Sequence, residues 1–176
     1  MVSFGSSSNS RSASNKKMYR NLSFGNRTKL KLLLPYLKKS QKVLDLGCGS
    51  MWLTKKLRSK GYNCVGFALT PPADIIGDIK KHPFKKHSFD VVIALEMLEH
   101  VDCLSEINFI LKPGGLLIAS SPVPHFDWLC LILEKLKIFQ DRGTPHSNLI
   151  YLDTIPYKVR KKNILFGINQ FYVFEK

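Results

Sequence analysis

Apolar and polar positions along this chain follow two alternating rhythms. Short continuous apolar runs recur between segments whose apolar residues fall three or four apart. The runs predict strands buried on both faces, and the spaced segments predict amphipathic helices. Asn26 is placed to cap a helix through Lys39, with Leu30, Leu33, Leu34 and Leu37 on its apolar face and Pro35 kinking it or marking its true start. Lys42 to Leu46 is the first strand. Met51 to Lys60 is a helix with Leu53 and Leu57 inward and Gly61 as its stop. Tyr62 to Phe67 is the second strand, and Asp74 to Asp78 a short third strand reached by a loop instead of a crossover helix. Ser88 to Leu95 is the fourth. Asp102 is placed to cap a helix that buries Leu104, Ile107 and Leu111 and ends at Lys112-Pro-Gly-Gly115. Leu116 to Ser120 is the fifth strand. Strands and helices alternating at this spacing predict a doubly wound α/β domain with a parallel sheet. Phe126 to Phe139 is apolar on nearly every side, as a segment is when it is buried, covers a pocket or touches lipid. Asn163 to Ile168 and Phe171 to Glu175 predict an antiparallel terminal hairpin about Asn169-Gln170.

The first strand matters most. Val43-Leu-Asp-Leu46 breaks into Gly47-Cys48-Gly49 and feeds a helix. A glycine turn between a strand and a helix N-terminus lets a ligand approach the main chain, with unpaired helix N–H groups aimed at it. A dinucleotide fingerprint would need its third glycine at position 52, where Trp52 stands, and no P-loop Gly-Lys-Ser/Thr follows.

Composition adds bounds. A chain of 176 residues fits one domain with a sizeable core. Residues 1–25 are serine-rich and basic at the start and predict a disordered tail, a composition that also fits a transit peptide or a nucleic-acid arm; residues 26–176 form the domain. No apolar run approaches the roughly 18 residues of a membrane span. The cysteines, Cys48, Cys64, Cys103 and Cys130, are too scattered for a zinc site or a disulfide framework, which predicts reduced thiols and a cytoplasmic protein. The net charge of +14 favours anionic partners such as RNA or acidic lipid, or reflects solvated lysine faces.

Five stretches then fall in one order: Val43 to Gly49, Gly77-Asp78, Ser88-Phe-Asp-Val-Val-Ile93, Glu96-Met-Leu-Glu-His-Val101 and Leu111-Lys-Pro-Gly-Gly115. Together they resemble the class I S-adenosylmethionine (SAM)-dependent methyltransferases, in the small-molecule branch that includes ubiquinone-pathway O-methyltransferases. The likeness covers roughly residues 28 to 122. It implies a seven-stranded, mostly parallel sheet with an antiparallel last strand, and SAM as cofactor across the carboxyl ends of the first strands. Gly47, Cys48 and Gly49 match the loop that cradles the methionine part, and Asp45 the acid that orients it. Asp78, with Ile79 beside it, matches the acceptor of the adenine amino group, and Leu95 the floor beneath the cofactor. Two positions depart from the pattern. Ala68 stands where the family commonly has the acid that binds the ribose hydroxyls, with Thr70 nearby as a substitute, and Met51 stands at the loop's usual third glycine.

The resemblance implies methyl transfer to a small-molecule acceptor by in-line displacement, with His100 as the candidate base and Glu96 beside it. A similar Glu-x-x-Glu-His set in metal-dependent relatives makes Glu96, Glu99 and His100 an alternative metal site that His146 would complete. Otherwise Glu99 and His100 pin the loop after the fourth strand. An RNA methyltransferase and a non-catalytic SAM-fold binding protein are the competing readings.

Overall fold

A computed structural model describes residues 24–126, Trp128, Ile132 and 150–176. The chain divides into two compact units between Pro35 and Tyr36. In the first, helix α1 spans Phe24–Leu33, with Leu30 and Leu33 buried, and a 3-10 turn at Leu34–Tyr36 runs across the boundary. The helix expected from Asn26 to Lys39 is therefore shifted. Asn26 lies inside it, and the helix ends ahead of Pro35, whose ring disfavours helical backbone at the preceding residue.

The second unit holds one seven-stranded sheet. Its strands are β1 Lys42–Leu46, β2 Asn63–Ala68, β3 Ile75–Ile76, β4 Phe89–Leu95, β5 Leu111–Pro122, β6 Lys158–Leu165 and β7 Asn169–Glu175. Their order is β3-β2-β1-β4-β5-β7-β6. β1 to β5 pair in parallel, and β7 runs antiparallel to both β5 and β6. The fold class implied by the resemblance is thus the one observed. Val43 to Leu46 are all buried, as a central parallel strand covered on both faces must be.

β3 has two residues because only six, 69–74, separate it from β2. A full parallel crossover takes a dozen or more residues. Six return the chain only far enough to pair Phe67 with Ile75 and Ala68 with Ile76. Helix α2, Trp52–Ser59, buries Leu53, Thr54 and Leu57 against the sheet side, and Gly61 follows in left-handed backbone as its stop. Helix α3, Leu104–Ile110, differs from expectation at both ends. Its cap is Cys103, which makes no capping side-chain bond, so Asp102 is not the cap. Leu111 already belongs to β5, paired with Phe89. The Lys112-Pro-Gly-Gly115 stretch then bulges out before pairing resumes at Val91 with Leu116. Gly115 must be glycine there, since a Cβ would lie 2.8 Å from the Lys112 carbonyl and 3.0 Å from that of Asp90.

The core gathers Leu44, Leu46, Val92, Ile107, Leu117 and Phe174. Phe84 stands edge-on to both Phe67 and Phe89, with ring centroids 5.2 and 5.1 Å away. The terminal hairpin is present but turns earlier than expected. Phe166 and Gly167, both with positive φ, form the turn, closed by the Ile168 N–H on the Leu165 carbonyl at 3.1 Å. Asn169 and Gln170 belong to β7 instead. The apolar segment 126–139 lies outside the described residues except for the 3-10 turn ending at Phe126 and for Trp128 and Ile132, both exposed. No described helix is long and apolar enough to cross a membrane.

Gln170, only 2% exposed, ties three strand and loop ends together. Its Oε1 accepts from the Leu152 N–H at 2.8 Å, while Nε2 donates to the Pro122 and Ile150 carbonyls at 3.0 and 2.9 Å. Gln170→Leu strands all three groups and should cost about 2–4 kcal/mol of stability in urea denaturation. A loss below about 0.5 kcal/mol would mean that these groups find other partners.

Candidate functional site

The site is built where β1 stops. Gly47 and Gly49 take φ of +73° and +49°, in the left-handed region where glycine carries no Cβ penalty. The Gly47 and Cys48 N–H groups both donate to the Phe67 carbonyl, at 2.8 and 3.1 Å, which lashes the turn to the end of β2. Met51, at the position of the usual third glycine, also adopts left-handed backbone, φ 60°, and caps α2 from a buried position. A non-glycine residue there costs about 1–2 kcal/mol, offset here by burial of the side chain.

Asp45 locks the turn to the helix. Its Oδ2 accepts from the Thr54 hydroxyl at 2.6 Å and the Thr54 N–H at 3.1 Å. Gly66 on the neighbouring strand leaves room for this lock, since a Cβ there would meet Thr54 Oγ1 at 2.9 Å and Cys48 Sγ at 3.1 Å. Burial pushes the Asp45 carboxyl up to about 6 from 3.8, against the two Thr54 bonds and with nearby Asp74 adding to the rise. Between those values the folded protein holds a proton that the unfolded chain has released. Stability should therefore fall as pH rises through that window, by about 3 kcal/mol in all. Asp45→Asn should flatten this slope in urea denaturation run from about pH 4 to about pH 7. Parallel pH profiles for the two proteins would contradict it. Burial also pushes the Cys48 thiol up to about 11, so it stays protonated and serves as a small packed group.

The other predicted cofactor residues line the same edge. Ala68 ends β2, half-buried. Asp78, exposed two residues past β3, accepts the Lys80 N–H on Oδ1 at 2.9 Å and caps the 3-10 turn Ile79–Lys81, while Ile79 is buried beneath. Leu95, half-buried, ends β4 opposite Ser120. The order β3-β2-β1-β4 sets Asp78, Ala68, the glycine turn and Leu95 along one carboxyl edge. The strand order reverses between β1 and β4, and open α/β sheets bind ligands at that crevice.

Glu96 follows β4 with φ 51°, a sparsely populated conformation for a non-glycine residue. Its carboxylate accepts from Ser120 Oγ at 2.6 Å and from Asn169 Nδ2 at 3.0 Å on each oxygen. Met97 lies over the turn, its Cγ 2.7 Å from where a Gly47 Cβ would sit, and its sulfur is 3.8 Å from Cys103 Sγ. Glu99 is fully buried, and the His100 N–H closes a turn on the Met97 carbonyl at 3.0 Å. Among the described residues no three His, Cys, Asp or Glu side chains gather as a metal group, so Glu96, Glu99 and His100 do not form one by themselves; His146 lies outside them. Sequence reasoning missed Thr54, Gly66, Met97, Ser120 and Asn169. Only Thr54 carried a local signal, as a hydroxyl at the start of α2.

The site fits SAM at two of its three parts. The glycine turn is open at Gly49, where a Cβ would meet nothing nearer than 3.9 Å, and Asp78 offers a carboxylate for an amino group. The ribose position between them, at Ala68, has no acid. The fold is that of the class I SAM-dependent methyltransferases. The chain belongs to the methyltransferase-domain family, whose model matches residues 16–158.

Relatives agree. A ubiquinone biosynthesis O-methyltransferase of Bradyrhizobium sp. (strain ORS 278) is 32% identical over 101 residues, covering 46% of this chain and 39% of the relative. Ribosomal RNA-processing protein 8 of Rattus norvegicus is 29% identical over 136 residues, 72% of this chain and 30% of the relative. The chain thus spans well under half the length of both. The crystal structure of the PH0226 protein from Pyrococcus horikoshii OT3 superposes with a TM-score of 0.63 at 19% identity, covering 90% of this chain and 98% of that one, a likeness of fold.

Proposed function

We propose that this chain transfers the methyl group of SAM to a small-molecule acceptor. The observation that carries the reading is the left-handed Gly47-Cys48-Gly49 turn at the sheet's switch point, with Asp78 farther along the same edge. When bound, SAM supplies a methyl group on a sulfonium that is already a good leaving group, so alignment and a dry pocket provide most of the rate. Asp45, through Thr54, holds the turn and α2 in register. Met97 packs against the turn at Gly47. Glu96 is held by Ser120 and Asn169, which suits a carboxylate that orients an acceptor more than one that takes a proton. His100 is the base if the acceptor is a hydroxyl that must lose its proton. Isothermal calorimetry should show SAM binding, and a metabolite screen a methylated acceptor. No heat at millimolar SAM overturns the proposal.

A second reading, RNA methylation, draws on the +14 charge, on exposed Lys158, Arg160, Lys161 and Lys162 along edge strand β6, and on the likeness to ribosomal RNA-processing protein 8. It requires RNA binding that weakens steeply with salt. Negligible affinity at about 0.1 M salt removes it. A non-catalytic SAM-fold role, suggested by Ala68, is removed by acceptor-dependent turnover of SAM.

A further inference from the structure

In doubly wound sheets, ribose hydroxyls are taken by an acid at the end of the second strand, about 20 residues beyond the glycine turn. That distance from Gly47 and Gly49 lands on Phe67, Ala68 and Leu69, at the end of β2. Phe67 is buried, Ala68 is half-buried, and Leu69 is 70% exposed. Asp74, the next acid along the chain, is already committed. Arg58 Nη1 and Nη2 donate to its two oxygens at 2.9 and 2.5 Å, and the Gly66 N–H donates at 2.7 Å. Its own N–H returns to the Gly66 carbonyl at 3.0 Å, which fixes Asp74 at the level of Gly66, back from the sheet's edge. The loop between closes on the glycine turn, with Cys48 Sγ 3.7 Å from the Pro72 carbonyl. The wall running from the glycine turn toward Asp78 is therefore Ala68, Leu69, Thr70 and Pro72, none of them a carboxylate.

We infer that, among the described residues, the glycine turn and Asp78 grip the adenosyl cofactor with no carboxylate on the ribose, which rests at Ala68 and Leu69, so that adenosyl thioethers and sulfoniums lacking a ribose hydroxyl are accepted as well as the parent. The inference rests on the SAM reading above. A wall without a carboxylate rejects a ligand lacking a ribose hydroxyl only weakly, because no charge in the pocket is left unpaired. A carboxylate at Ala68 would create the discrimination that this wall lacks.

The test is titration calorimetry of the full chain with S-adenosylhomocysteine and its 2′-deoxy and 3′-deoxy counterparts. The three affinities are expected to agree within about threefold. Ala68→Asp is expected to tighten S-adenosylhomocysteine by about fivefold or more without tightening the analogue that lacks the bonded hydroxyl. A loss of about tenfold or more with either analogue on the wild-type chain overturns the inference and leaves the SAM reading standing. A folded Ala68→Asp chain that binds S-adenosylhomocysteine no tighter also overturns it. No binding of S-adenosylhomocysteine to either chain at millimolar concentration overturns the SAM reading and the inference together. Should Ala68→Asp fail to fold, the comparison of three ligands on the wild-type chain decides alone.

Discussion

His100→Ala is expected to lower kcat for methyl transfer by about 10²–10⁴ while leaving SAM affinity nearly unchanged. His100 lies in the turn that follows β4, five residues beyond Leu95 in the chain, its main chain closed on Met97. If the imidazole takes the acceptor's proton, as proposed, removing it strikes the transition state and not cofactor binding. The measurement pairs steady-state rates on the acceptor found by screening with calorimetric SAM affinity. If His100 only pins the turn, the rate falls modestly and the urea midpoint falls with it. If His100 acts as a base without a metal, a chelator leaves wild-type activity intact. Loss of activity with chelator would revive the metal reading and require His146 or another ligand to complete it.

Asp78→Ala is expected to weaken SAM binding by roughly 5- to 150-fold, the loss of an acceptor for the adenine amino group. Part of any stability change comes from another source. Asp78 also caps the Ile79–Lys81 turn, and losing a cap of this kind costs about 1 kcal/mol. Asp78→Ser keeps a capping oxygen and removes the charge, so it should fold like the wild type and still bind SAM weakly. Full SAM affinity in Asp78→Ala would move the cofactor away from this edge of the sheet.

Strand identities, the glycine turn and the alternation of strands with helices were legible in the sequence because each is set by neighbours within a few residues. A short continuous apolar run bounded by turn residues fits a strand covered on both faces, and the glycines following it fit a tight turn. A short third strand without a full crossover followed from chain length, but it was expected over Asp74 to Asp78 and the structure narrows it to Ile75–Ile76. Boundaries were less legible. Asp102 offered a capping side chain, but Cys103 occupies the cap, and the hairpin turned at Phe166-Gly167 because those residues adopt the left-handed backbone that a tight hairpin turn needs.

What sits beside each site residue was decided only by the tertiary structure. Glu96 was read beside the candidate base or as a metal ligand; Ser120, 24 residues on, and Asn169, 73 residues on, hold it. Gly66 carried no motif, yet its missing Cβ makes room for Thr54 and Cys48. Met97 reaches Gly47 because β4 lies beside β1. These contacts join residues far apart in the chain, and their geometry depends on strand order and register. Periodicity along the sequence encodes which face of an element is buried, but not which distant side chain meets it there.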